Sequence, residues 1–154
     1  MTDDRETNAV DPDSPSPRIR LRFADVALVA AGGVAGTAAR EAVTLTLPSV
    51  SGLSAGVFLV NLIGAFLLGT LLEALTRRGP DSGPRRRWRL LLGTGLLGGF
   101  TTYSAFAVDT ALALSDSVIA GVVYSFSTIL FGGIATWLGL VIGSRSAPKS
   151  GSRA

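Results

Sequence analysis

A chain of 154 residues with 47% hydrophobic side chains, 19 glycines, only 16% charged residues and a mean hydropathy of +0.46 reads as a small, single-domain integral membrane protein. It has no Cys and no His, which excludes disulfides, thiolate or zinc sites on those ligands, and Ser-His or Cys-His nucleophile pairs. Its carboxylates form no close pair inside an apolar run, so acid–base catalysis has no support and no enzyme activity is expected; the net charge of +3 comes from arginines that flank apolar runs without an aromatic-rich soluble module, so nucleic acid is not an expected partner.

Residues 1–23 begin with charges, Ser and three prolines, Pro12, Pro15 and Pro17, and carry too little apolar surface to order themselves. They predict a disordered cytoplasmic tail. Arg18, Arg20 and Arg22 lead into the first apolar run without a convincing small-residue cleavage site, so that run is expected to stay in the membrane.

The membrane domain, 24–144, holds four apolar segments: Val26 to about Leu45, Ser54 to Leu72, Leu90 to Val108, and Val118 to Ile142. The last three are free of charge over 19, 19 and 25 residues, long enough to cross about 30 Å of hydrocarbon as helices. The first offers 14 uncharged residues between Asp25 and Arg40, a length that also fits a buried or re-entrant helix. Charge distribution favours four spans, because all but one of the 14 basic residues then share one side, Arg40 being the exception. The positive-inside rule puts that side, both termini and the basic tail 145–154 in the cytoplasm. A subunit that inserts in either orientation needs balanced loops; this one is expected to insert one way only.

Within the first segment, Gly32 and Gly36 are four residues apart, as are Gly95 with Gly99 and Gly139 with Gly143 later in the chain. Such pairs let helices approach closely in lipid and predict a tight bundle. Arg40 closes the first run and belongs near an interface, either snorkelling to headgroups or attracting anions at a pore mouth. In the second segment Asn61 is the one strongly polar residue, and Gly64 shares its helical face. Its amide offers an interhelical hydrogen bond, or two N–H donors to a dehydrated anion.

The third segment carries the most information. Gly98-Gly99-Phe100-Thr101-Thr102-Tyr103-Ser104-Ala105-Phe106 interrupts it with adjacent glycines and hydroxyl residues, which weaken a helix at membrane depth. Irregular backbone survives there only where protein buries it or where it lines a watery cavity, so a transport pathway is the leading reading. Asp109 follows this segment, at an expected interfacial position. In the fourth segment Tyr124 and Thr128 put hydroxyls on one face, available to their own backbone or to a pore.

The glycine-rich first helix ending in Arg40, Asn61 followed by Gly64, and above all the nonapeptide Gly98–Phe106 resemble the Fluc/CrcB family of fluoride ion channels, over about Val26 to Gly143. The resemblance implies an all-α membrane protein of four transmembrane helices with a broken third helix, assembled as an antiparallel dimer with two fluoride pores, in the bacterial inner membrane. It implies a fluoride pathway along Asn61, Tyr103, Ser104, Phe106, Tyr124 and Thr128, with Arg40 and Asp109 in vestibule or structural roles. By the same carry-over, the carbonyls of Gly98 and Thr101 from both subunits hold a central structural sodium ion, Na+.

Four positions depart from the pattern that the resemblance implies: Tyr103 stands for Phe, Ala105 for Thr, Val57 for Thr, and Asp109 for Glu. Tyr103 keeps a ring edge for an anion and adds a hydroxyl that either donates to fluoride or crowds the path. With the one-sided arginines, these departures favour a heterodimer with an oppositely oriented homologue over a homodimer. Two other readings stand beside the channel: a four-helix proton-coupled multidrug exporter, which needs a mid-span carboxylate, and a non-transporting membrane scaffold, which leaves the interrupted segment unexplained.

Overall fold

The computed structural model describes residues 22–50 and 53–145. The tails assigned to 1–23 and 145–154 therefore lie outside the described residues, apart from Arg22, Phe23 and Arg145. Four helical stretches are long and apolar enough to cross a membrane: Phe23–Thr46, Ala55–Arg77, Gly83–Asp116 and Val118–Arg145. We label them by their parts. Helix α1 is Phe23–Thr46, α2 is Ala55–Arg77, and α6 is Val118–Arg145. The third stretch comprises α3 (Gly83–Trp88), a π-helical segment (Arg89–Leu97), α4 (Gly98–Phe100) and α5 (Tyr103–Asp116).

Each helix extends beyond its apolar run. Hydrophobicity marks the part of a helix that lies in hydrocarbon, whereas backbone hydrogen bonding continues into polar sequence wherever side chains support it. At the end of α2, Glu73 and Arg77 pair one turn apart on one face, and Thr70 and Thr76 bond the carbonyls of Phe66 and Leu72. Gly79, at φ 117°, then adopts the left-handed conformation that lets the chain turn into Pro80 and Asp81. The third stretch starts seven residues ahead of Leu90, with Pro84 in the first turn of α3. It also runs on to Asp116, so Asp109 sits within a helix and not past the end of one. Between α1 and α2 the chain makes a short antiparallel pairing, Ser49 opposite Ser54 and Val50 opposite Leu53.

Backbone contact through glycine organises the bundle. Helix α1 packs on the π-helical segment and α4, while α2 packs chiefly on α6. A methyl group at Gly32 would collide with the Leu91 carbonyl, one at Gly36 with the Leu96 carbonyl, and one at Gly99 with the Gly33 carbonyl, 2.5 Å away. On the other pair, Gly139 abuts the Phe66 carbonyl and Gly143 the Thr70 carbonyl. All three small-residue pairs thus lie at helix crossings, where close van der Waals approach drives association in lipid. The interior is correspondingly thin. Val60 is the only large side chain fully enclosed among the described residues, and residues such as Val34, Phe126, Ile129 and Trp137 face outward. That inside-out distribution suits hydrocarbon as solvent.

Candidate functional site

The interruption lies at Thr101-Thr102. Helix α4 ends at Phe100, Thr101 is extended at φ −79°, ψ 155°, Thr102 at φ −144°, ψ 118°, and α5 restarts at Tyr103. Upstream, the Gly98 N–H reaches back five residues to the Gly93 carbonyl, the wide-turn bonding of a π-helix. Gly95 and Gly99 remove the side chains that would otherwise strike the α1 backbone.

An interrupted helix leaves donors and acceptors that must be paired at this depth. Asn61 supplies the pairing. Its Nδ2 donates to the Thr102 carbonyl at 2.9 Å, and its Oδ1 accepts from the Thr102 N–H at 2.7 Å. Thr102, only 7% exposed, caps α5 by accepting the Ala105 N–H on its hydroxyl at 3.2 Å. Gly64 makes room on α2, since a methyl there would strike the Thr101 side chain. In an unbroken helix the N–H groups of Thr102 and Ala105 would close on the carbonyls of Gly98 and Thr101. Here both donors are diverted, to Asn61 and to the Thr102 hydroxyl.

Two cavities flank the interruption. The larger, about 540 Å³, is lined by Asn61, Thr101, Thr102, Tyr103, Phe106 and Thr128 among others. The second, about 390 Å³, is lined by Arg40, Glu41, Val57, Ser104, Ala105 and Asp109, and it too touches Thr102. Helical periodicity explains the division: Tyr103 and Phe106 share one face of α5, while Ser104, Ala105 and Val108 share another. The structure therefore gathers four of the six pathway candidates, Asn61, Tyr103, Phe106 and Thr128, in one cavity and puts Ser104 in the other. Tyr124 lines neither. It bridges them, with its ring 5.9 Å from that of Phe106 and its hydroxyl donating to Asp109 Oδ2 at 3.3 Å.

Finer contacts set what each group offers. Tyr103 is 80% exposed and its ring lies 6.1 Å from Phe106. Thr128, which lines the larger cavity, donates its hydroxyl proton to the Tyr124 carbonyl at 2.8 Å. Ser104 lies 3.3 Å from the Thr102 hydroxyl. Arg40 extends from α1 to the Gly99 carbonyl at 3.5 Å, where Thr37 also donates, so a guanidinium reaches the last turn ahead of the interruption. Asn61 makes no further hydrogen bond with its second amide N–H among the described residues. No cluster of three or more acidic, His or Cys side chains is present among the described residues.

Against known proteins, a family model described as "CrcB-like protein, Camphor Resistance (CrcB)" matches residues 27–140. The chain belongs to the CrcB family. It is 46% identical over 134 residues to the fluoride-specific ion channel FluC 2 of Leifsonia xyli, covering 86% of this chain and 92% of that one. It is 42% identical to FluC 1 of Cutibacterium acnes, over 79% of this chain and 90% of the relative. FluC of Caulobacter vibrioides is 40% identical, over 75% and 91% respectively. The CrcB match runs from α1 into α6 and so includes Asn61, Thr101-Thr102 and both cavities. Thr102 is the residue that sequence reasoning did not single out within this family motif. Its signal was local: a Thr directly ahead of a helix restart is a common N-cap.

Proposed function

We propose that this CrcB-family chain is a fluoride-specific channel that passively exports cytoplasmic fluoride and so limits its toxicity. The observation that carries the reading is the cavity beside Thr101-Thr102, in which an amide with an uncommitted N–H faces the same space as two aromatic rings. The similarity to three proteins named fluoride-specific ion channels supports it.

Dehydrating a small anion costs tens of kcal/mol in the Born limit, so a pore must return donors and positive potential along the way. In this reading Asn61 donates its second N–H, the edges of Tyr103 and Phe106 present their positive rims, and Ser104 offers a hydroxyl. Arg40 raises the local potential from the neighbouring cavity and draws anions toward the mouth. Asp109, held by Tyr124, orients that hydroxyl and limits the positive field. No covalent step and no nucleotide are required, which accords with a channel and not an enzyme.

The chain acts as half of an antiparallel dimer, with a structural sodium ion at the twofold contact. The carbonyls of Gly98 and Thr101 are available for that role, because the N–H groups that would close on them in an unbroken helix bond elsewhere. Bound there, sodium would supply fixed positive charge close to the route. The partner is an oppositely oriented homologue: the arginines are one-sided, and three of the four departures, Val57, Ala105 and Asp109, line a single cavity. One route is thereby altered while the other keeps its rings. The chain resides in the bacterial inner membrane with both termini in the cytoplasm.

Fluoride efflux from proteoliposomes, with chloride as the control anion, tests the proposal for the chain alone and with its homologue. Rapid fluoride release without chloride release is expected from the pair. Silence from every combination, in protein shown to be folded, overturns it.

A further inference from the structure

At the arginine-rich end of the bundle, away from both cavities described above, a third cavity of about 560 Å³ opens between the first turns of α1 and α3. Arg22, Arg86 and Arg87 line it together with Asp25, Ala27 and Leu28. Asp25 is already engaged: Arg86 Nη2 lies 2.8 Å from its Oδ2. Arg22 and Arg87 are in no ion pair among the described residues, so within these residues the cavity has two arginines not matched by a carboxylate. Its remaining wall is alkyl, at the very start of a membrane span, with exposed Val26 alongside. Trp88, half-exposed and adjacent to Arg87, has the amphipathic character of side chains that settle at the headgroup level.

We propose that this cavity binds the phosphodiester headgroup of an anionic phospholipid. Two guanidiniums match phosphate oxygens by paired N–H donation, and basic pockets between membrane helices favour anionic headgroups. The alkyl wall contributed by Ala27 and Leu28 receives the glycerol and upper acyl carbons, which a soluble phosphate lacks. The volume falls within the range of about 300–1,000 Å³ common to small-molecule sites. Occupancy would tie α3 to α1 beyond the single Arg86–Asp25 pair, and so brace the stretch that leads to the interruption.

Full-length protein in mild detergent, titrated with phosphatidylglycerol, phosphatidylcholine or inorganic phosphate and followed by native mass spectrometry, tests this directly. Phosphatidylglycerol is expected to bind in clear preference to phosphatidylcholine. Replacing Arg22→Gln and Arg87→Gln together is expected to weaken it by about 25-fold, about fivefold for each headgroup-facing arginine. Each single exchange gives a folded reference if the double variant is poorly behaved, since both side chains are exposed. Equal binding of the two lipids, an undiminished preference in the variants, or displacement of the lipid by equimolar inorganic phosphate would each overturn the proposal, the last by assigning the cavity to a soluble anion. Fluoride flux plays no part in the readout, so its outcome is separable from that of the channel assignment.

Discussion

Asn61 and Thr102 hold each other in a closed ring of two hydrogen bonds, 2.9 Å from Nδ2 to the carbonyl and 2.7 Å from the backbone N–H to Oδ1. A side-chain amide thus takes the place of a peptide group where the helix supplies none. Asn61→Ala strands both groups of a buried residue, at a cost of about 2–4 kcal/mol for the two together. A lowered melting temperature in detergent is expected alongside the loss of fluoride flux. Wild-type stability in that variant would mean that the pairing contributes nothing to the fold.

The ring of Phe106 stands between those of Tyr103 and Tyr124, 6.1 and 5.9 Å away. Phe106→Ala removes the middle member and is expected to cut flux by about tenfold or more, the scale of a lost contact worth 1.4 kcal/mol or above. Tyr103→Phe keeps the ring edge and is expected to conduct as the parent does, because the Tyr103 hydroxyl has no hydrogen-bond partner among the described residues. A flux assay on the two variants side by side decides both points.

Neighbouring glycines on α1 make a matched test of the crossing. An added methyl at Gly32 would meet the Leu91 carbonyl and, at 2.8 Å, the Leu96 nitrogen, whereas at Gly33 the nearest atom is 4.0 Å away. Gly32→Ala is expected to destabilise by about 1–3 kcal/mol through overpacking, and Gly33→Ala to be tolerated. Unfolding in a detergent series reports the difference; equal effects would contradict the crossing.

Asp81 accepts a hydrogen bond from Arg89 Nε at 3.0 Å, and this bond holds its carboxyl below the ordinary carboxylate value. A carboxyl whose folded pKa is depressed stabilises fully above its unfolded pKa, about 3.9, and loses that contribution as pH falls through the lower folded value. Asp81→Asn is therefore expected to melt slightly below the parent at pH 7 and pH 5, with the gap closing only below about pH 4. The effect is small because water screens an exposed pair. A gap that widened on acidification would reverse the sign of this linkage.

Much of the architecture was legible in the sequence because charge-free runs of sufficient length have few other uses. The helix ends were not, since the Glu73–Arg77 pair and the polar turn at Pro84 extend helices by means that hydropathy ignores. The pairing of Ser49 with Ser54 was equally hidden, for two residue pairs leave no alternating pattern to read. At the site, residue types could be named but not apportioned. Ser104 and Tyr103 are adjacent in sequence yet face different cavities, and the partner of Asn61 lies 41 residues away. Local spacing carries no information about such a distance.

Because the π-helical segment and α4 meet α1 with glycine against backbone at Gly32, Gly36, Gly95 and Gly99, little side-chain volume cushions that crossing. The Gly99 carbonyl is gripped from α1 by both Thr37 and Arg40. A displacement of α1 at this crossing is therefore expected to carry Thr101-Thr102 with it. Mutations distant along α1 should consequently disturb ion passage without ever touching an ion.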